Sequence, residues 1–182
     1  NQPTSISSGT LVNHGFAGGT GQRGDQGANG GGGGGAGAAG DNAPYANPPS
    51  AQPGADGGAG LANVFRYGPS SPVTYAGGGG GGAAGPSSAT GGSGGTPTAG
   101  DGDGKTANYS ATASMQGKAN SGSGGGGGSE TQNSPGRYSN GGNAGSGVAV
   151  IRYTLGQLVQ GTKATGGNVE AIPSGPYIMH SF

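Results

Sequence analysis

The stretch from Gly15 to Gly35 carries glycine at nearly every third position, and this period constrains the fold more than any other feature. A period of three fits neither the α-helix, at about 3.6 residues, nor the β-strand, at about 2. It matches the left-handed polyproline II type helix, which has three residues per turn and no internal hydrogen bonds. Buried peptide groups of such a helix must pair with a neighbouring chain, and glycine lets two backbones approach closely. The pattern therefore predicts backbones packed against backbones in place of a side-chain core.

The length of this run adds a second expectation. At ~3.1 Å per residue, a fully extended run from Gly15 to Gly35 would reach about 65 Å. We therefore expect the run to bend or to span more than one layer. The run also resembles the collagen repeat, but it lacks proline at the two other positions of each triplet. A side-by-side glycine bundle is favoured over a collagen trimer.

The composition narrows the classes of protein. Glycine supplies 51 of 182 residues, and hydrophobic residues make up only 28%. Such a composition is typical of a disordered chain, but the low charge content, 8%, argues against a self-repelling coil. Seven basic and seven acidic residues are scattered singly, which gives no basic patch for nucleic acid. No apolar stretch approaches the ~20 residues that cross a bilayer, so we expect no membrane insertion.

The fold class predicted from these patterns is irregular and all-β, with packed polyglycine II helices, a few short β-strands and no α-helix. We divide the chain into an entry segment at 1–14, a glycine-rich domain with exposed loops at 15–147, and a β-rich segment at 148–182. Apolar and β-branched residues predict strands at 11–12, 61–67, 73–75, 148–155, 169–172 and 177–182.

Polar loops between the glycine runs are the predicted recognition elements, and we expect them to emerge at the ends of the stack. They cover Asp41–Asp56, Pro86–Thr98 and Glu130–Asn140. Exposed loop aromatics bind sugars and proteins well, although each tyrosine could equally anchor its own loop. The candidate receptor-binding residues are Tyr45, Asn47, Thr96, Tyr109, Arg137 and Tyr138. By contrast, Tyr67, Tyr75 and Tyr153 end apolar strands, and we expect them to be packed.

Other motifs are weak. Arg23–Asp25 spells an integrin-binding tripeptide, but three residues in a glycine-triplet run arise easily by chance. Asp101–Lys105 resembles the start of a calcium loop without its remaining acidic ligands. Gly104–Thr106 has the end of a phosphate-binding loop without the strand and helix that frame it. Cysteine is absent, which excludes disulfides and thiolate metal sites.

His14 and His180 are the only histidines. No nucleophile elbow and no pair of acids accompanies them, so a structural role is favoured over catalysis. The seven acidic residues are too scattered to predict a cleft that degrades surface sugars. The sequence therefore predicts neither an enzyme nor a cofactor site.

The chain resembles the glycine-rich domain of tailed-phage tail-fibre and virion proteins over roughly residues 17–182. That domain typically closes with a GSGIVIIRY-like strand, and a β-rich segment follows it. The matching residues are Tyr75 with Gly77–Gly82, Gly57–Leu61, Gly145–Tyr153 (GSGVAVIRY), Gly166–Val169 and Tyr177–Phe182. The "VVAGGGGGG"-like opening strand of the family is missing. The chain stops where another β segment would continue, so we expect a fragment or one half of a longer fibre protein.

This resemblance implies a place on the extracellular virion particle, in the style of polyglycine II tail-fibre adhesins that bind the host surface through variable loops. The chain does not open on a signal peptide, which favours a virion protein over a secreted bacterial one. The implied partners are other virion or fibre proteins and a host cell-surface protein or glycan. The chain would act as a homotrimer or docked on a trimeric fibre. The alternative is a purely structural virion module, a spacer or capsid decoration, without receptor binding.

Overall fold

The computed structural model describes residues 14–24, 27–45, 52–85, 89–95, 99, 115–131, 137–154, 168–171 and 177–181. Within these ranges no residue lies in an α-helix, as the sequence predicts. The described strands are short: β1 (Gln22–Gly24), β2 (Gly27–Asn29), β3 (Leu61–Asn63), β4 (Val73–Tyr75), β5 (Ala84–Gly85), β6 (Glu130–Thr131), β7 (Arg137–Tyr138), β8 (Val150–Thr154), β9 (Asn168–Ala171) and β10 (Tyr177–Ser181).

Most described residues between 14 and 147 form extended threads that lie side by side in a stack. We number them in chain order as thread 1 (14–24), thread 2 (27–36), thread 3 (38–45), thread 4 (52–60), thread 5 (76–85), thread 6 (89–95), thread 7 (122–131) and thread 8 (137–147). Backbone hydrogen bonds between threads recur every third residue. Gly30 N and Gly33 N, for example, donate to Gly82 O and Gly79 O at 2.9 and 2.8 Å. This repeat is that of polyglycine II packing and confirms the predicted period.

The run from Gly15 to Gly35 is not one straight helix. Threads 1 and 2 divide it and lie antiparallel, with Gln22 opposite Asn29 in the β1–β2 pair. At the other end of the same pair of threads, Phe16 N donates to Gly35 O at 3.0 Å. The expectation that this run bends is therefore confirmed.

Thread 5 lies at the centre of the stack, and every residue from Gly77 to Gly85 is buried. Its carbonyl oxygens accept hydrogen bonds from three neighbouring threads, and consecutive residues of thread 5 bond to different neighbours in turn. The bonds are 2.8–2.9 Å long: Gly79 and Gly82 accept from thread 2 (Gly33, Gly30), Gly78 and Gly81 from thread 6 (Gly95, Gly92), and Gly77 and Gly80 from thread 7 (Gly124, Gly127). The amides of Gly78, Gly81 and Ala84 donate to a fourth neighbour, thread 4. A helix with three residues per turn produces this distribution because its peptide groups point outward in three directions.

The threads approach so closely that their interior positions have no room for a side chain. A Cβ on Gly79 would collide with the Gly125 carbonyl oxygen, and one on Gly82 with the Gly128 carbonyl oxygen. Among the described residues, the buried apolar side chains are small apart from one methionine: Ala43, Ala55, Ala83, Ala84, Ala89 and Met115. Backbone pairing thus replaces a side-chain core, as the sequence predicts.

The stack has two ends, which we name by what lies there. At the hairpin end, Ala36 N donates to Ala76 O, and the β3–β4 hairpin connects threads 4 and 5. At the proline end, Gln52 pairs with Ala84. The side-chain amide of Asn29 lies at the proline end too, where it donates to the carbonyl oxygens of Pro44 and Pro53 at 3.1 and 2.7 Å. These bonds fix the two described flanks of the segment between threads 3 and 4.

The strands close the ends of the stack and form the C-terminal sheet. β5 pairs with β6 in parallel, β6 with β7 antiparallel, and β10 lies between β8 and β9, antiparallel to both. The strands predicted at 73–75, 148–155, 169–172 and 177–182 are confirmed with small changes of bounds, whereas 11–12 lies outside the described residues. The prediction of a strand through 61–67 is wrong beyond Asn63, where the chain turns. The region 130–140, which the sequence predicts to be a loop, contains two short strands: β6 at its start and β7 further along.

Candidate functional site at the hairpin end

The tip of the β3–β4 hairpin presents large apolar side chains to solvent. Leu61 lies opposite Tyr75 and Asn63 opposite Val73 in the hairpin register. Beyond Asn63, the exposed fractions are 39% for Val64, 53% for Phe65 and 44% for Tyr67. Three large apolar residues exposed within one short tip are the kind of surface that marks a binding site.

Local hydrogen bonds explain why the chain turns here instead of continuing the strand. The side-chain oxygen Oδ1 of Asn63 accepts from the amide of Phe65 at 2.7 Å, which is an Asx turn. The amide of Gly68 then donates to the Val64 carbonyl at 2.9 Å, and Gly68 has a φ of +82° that favours glycine. The tip is therefore held by its own backbone and by Asn63.

Arg66 adds a positive charge to this apolar tip. Its guanidinium carbon lies 5.2 Å from the centroid of the Tyr67 ring, within the range of a cation–π interaction. This contact places a cationic group against an aromatic ring at the tip. Such a pair can contact an anionic group and an apolar ring face on one ligand.

A cavity of about 350 Å³ lies between this tip and the start of the C-terminal sheet. Asn63, Phe65, Arg66 and Tyr75 line one side of it, and Ser121, Val148 and Val150 are among the residues that line the rest. The Tyr75 hydroxyl is buried and has no hydrogen-bond partner within the described structure. Because a buried hydroxyl almost always has a partner, a polar group of a ligand or a water molecule in this cavity would complete it.

The prediction that Tyr67 is packed is wrong, because the ring follows the turn at Asn63 and lies at the exposed tip. Tyr75 is partly buried, in line with its prediction, whereas the Tyr153 side chain lies outside what is described. Sequence reasoning treated 61–67 as a single packed strand and so missed this site. The signal for it was the run Gly68–Pro72 (GPSSP), whose glycine, prolines and serines are typical of a turn.

The predicted receptor-binding residues lie elsewhere or outside the described ranges. Tyr45 is 65% exposed at the proline end, where thread 3 ends. Arg137 and Tyr138 form β7, which β6 joins to β5 at that same end. Asn47, Thr96 and Tyr109 lie outside the described residues. The structure thus brings three of the six predicted residues to one end of the stack, opposite the hairpin, and their role stays a prediction.

The weaker motifs are placed only in part. Arg23 and Gly24 belong to β1 at the end of thread 1, whereas Asp25 and the segments 101–105 and 104–106 lie outside the described residues. His14 is exposed near the start of thread 1, and His180 belongs to β10. In the part of the chain that the structure covers, no three histidine or acidic residues are grouped so that they could hold a metal ion. The same part contains no helix with the length and hydropathy of a membrane span.

Comparison with known proteins identifies the family. The model of a glycine-rich domain matches residues 1–154, which include all eight threads and β1–β8. The chain belongs to this glycine-rich domain family. No curated protein and no solved structure matches the chain. Membership of the glycine-rich domain family fits the backbone-packed stack, because the matched region contains all of the described threads and extends beyond them only through β8, the first strand of the C-terminal sheet.

Proposed function

We propose that this glycine-rich domain protein is a non-catalytic module of a virion appendage, a tail fibre or fibre tip, that attaches to a host cell surface. Its stack is a rigid scaffold because thread 5 is buried and hydrogen-bonded to four neighbouring threads. The observation that carries the proposal is the tip on that scaffold, where Val64, Phe65 and Tyr67 are exposed and the half-buried Arg66 lies against the Tyr67 ring. The resemblance of 145–153 to the closing strand of phage fibre domains supports the virion setting.

The chemistry of the tip favours a surface glycan that carries an anionic group. Aromatic faces pack against the apolar faces of sugar rings, and the Arg66 guanidinium suits a carboxylate or phosphate. A rigid, pre-formed tip loses little conformational entropy on binding. Proteins of the host surface stay a second class of partner for the same tip.

The test is binding of labelled protein to a panel of bacterial strains and to their purified surface polysaccharides. The paired change Phe65→Ala with Tyr67→Ala removes the exposed rings, and we expect it to weaken binding at least tenfold without lowering the melting temperature. Tyr45→Ala, which removes an exposed ring at the proline end, is the matched control.

Each outcome assigns a role. Loss of binding with Tyr45→Ala but not with the paired change would move recognition to the predicted loops at the proline end. Absence of binding to every strain and polysaccharide would favour the purely structural module, a spacer or capsid decoration. Such a result would refute the attachment proposal.

A further inference from the structure

A groove runs along thread 5 between threads 2 and 7. Both of these threads donate hydrogen bonds to thread 5, but no backbone hydrogen bond joins the described residues of one to those of the other. The groove has a volume of about 750 Å³, and most of its lining residues are glycines of these three threads, with His14, Gly15 and Phe16 of thread 1 also in its lining. The groove is therefore a position beside thread 5 that no described thread occupies.

The floor of the groove carries a row of unused donors. The amides of Gly79 and Gly82 donate to no acceptor among the described residues, although both carbonyl oxygens of these residues accept from thread 2. The amides of Gly78 and Gly81, one position earlier in each triplet, already donate to thread 4. In a helix of three residues per turn, Gly79 and Gly82 therefore form a separate row that points in a different direction.

The walls place no side chain over this row, because the flanking positions are glycines. A Cβ on Gly33 would lie 3.1 Å from Gly79 N, and one on Gly124 would lie 2.8 Å from the same nitrogen. Gly82 N is flanked in the same way, by Gly30 at 3.1 Å and by Gly127 at 2.9 Å. A side chain at any of these four wall positions would thus start close to one of the two amide nitrogens. Any other residue at these positions would begin to fill the groove over the donors.

We propose that this groove binds an extended glycine-rich segment of a separate polypeptide, in the three-residue-per-turn conformation of the threads themselves. Two carbonyl oxygens three residues apart on that segment would accept from Gly79 N and Gly82 N. Donors three residues apart in polyglycine II are about 9.3 Å apart, whereas inward groups of a β-strand repeat at roughly 6.6–6.8 Å. The groove therefore selects a polyglycine II partner over a β-strand.

An open sheet edge can bind an added strand. By the same principle, an open position beside a thread can bind an added thread. Threads 2, 4, 6 and 7 already occupy other positions around thread 5 with this bonding pattern. The groove follows thread 5 from Ala76 to Gly82, a length that a segment of about seven residues would fill at ~3.1 Å per residue. This binding site does not depend on the proposed attachment at the hairpin end.

The experiment uses the full chain and a fluorescent peptide with the sequence of residues 27–37, which is thread 2 with one further residue. Amide hydrogen exchange by NMR is measured at Gly79 and Gly82 with and without the peptide. We expect saturable binding and at least tenfold slower exchange at both amides, with little change at Gly81, which already donates to Ala55 O. A peptide of equal length with alternating threonine and lysine, a β-strand former, is expected not to bind.

Substitutions in the walls test the geometry. Gly33→Ala and Gly124→Ala each place a methyl group over Gly79 N and are expected to weaken peptide binding at least tenfold. Gly147→Ala is the matched control, because its Cβ would meet no atom within 4 Å. If either wall variant fails to fold, the exchange measurement on the unchanged protein still decides the question.

Three results would overturn the proposal. The first is no binding of the glycine peptide, and the second is binding that leaves exchange at Gly79 and Gly82 unchanged. The third is self-association of the protein alone that protects these two amides, which would assign the groove to a second copy of this chain. Sedimentation velocity without peptide distinguishes this last case.

Discussion

Gly82→Ala tests the claim that backbone contacts hold this protein together. The added Cβ would collide with the Gly128 carbonyl oxygen of thread 7 and would lie 2.6 Å from the Gly128 carbonyl carbon. Neither atom belongs to a flexible side chain, so a whole thread must move. That movement would stretch the bond between Gly127 N and Gly80 O, now 2.8 Å, and strain the bond between Gly30 N and Gly82 O, now 2.9 Å.

The expected destabilisation follows from these contacts. Overpacking a close-packed interior costs about 1–3 kcal/mol, and each weakened hydrogen bond costs about 0.5–1.5 kcal/mol. The lower entropy of alanine in the unfolded chain offsets about 0.4–1 kcal/mol. We therefore expect a net loss of about 2–4 kcal/mol, which corresponds to a fall in melting temperature of roughly 4–16 °C for a chain of this size.

The assay is urea unfolding followed by tyrosine fluorescence, since the chain has seven tyrosines and no tryptophan. Gly147→Ala is the control, because its added Cβ has no atom within 4 Å, and we expect a change of at most about 0.5 kcal/mol. Equal effects of the two substitutions would refute the reasoning, since they would mean that glycine inside the stack is no more constrained than glycine at its surface.

Two further predictions concern residues other than glycine. Asn29→Ala removes the donor to the Pro44 and Pro53 carbonyl oxygens at a site that is 3% exposed, and we expect a loss of about 1–3 kcal/mol in the same unfolding assay. An unchanged urea midpoint would contradict a role for Asn29 in holding the proline end. Ala76 has a φ of +56°, which costs a non-glycine residue about 1–2 kcal/mol. We expect Ala76→Gly to stabilise the protein by roughly 0.5–1 kcal/mol after the entropy of glycine is subtracted, and differential scanning calorimetry that finds a lower melting temperature would exclude this gain.

The general architecture could be predicted from the sequence because it depends on residue type alone. Glycine at a three-residue spacing permits close backbone approach along one side of an extended helix, whichever thread comes to lie there. Strands with β-branched residues, such as Val150–Thr154, were equally predictable, since their side chains favour extended backbone locally. The absence of α-helix from the described residues follows from the same local preferences.

The candidate site was not predictable to the same extent. Whether Phe65 and Tyr67 are packed or exposed depends on where the chain turns, and the Asn63 side chain decides that through a bond to the Phe65 amide. The position of Tyr45 at the proline end, away from the hairpin, depends on how many threads the chain forms between them.

The sequence by itself determined that this chain packs through its backbone, because 51 glycines among few apolar residues leave no other interior. Only the tertiary structure decided which thread lies beside which. Glycine threads are nearly identical surfaces, and both parallel and antiparallel neighbours satisfy the same hydrogen bonds, as threads 2 and 7 do on thread 5. The order of the threads, and hence the open groove over Gly79 and Gly82, follows from tertiary contacts such as the β3–β4 hairpin and the Gln52–Ala84 pair, which residue type does not specify.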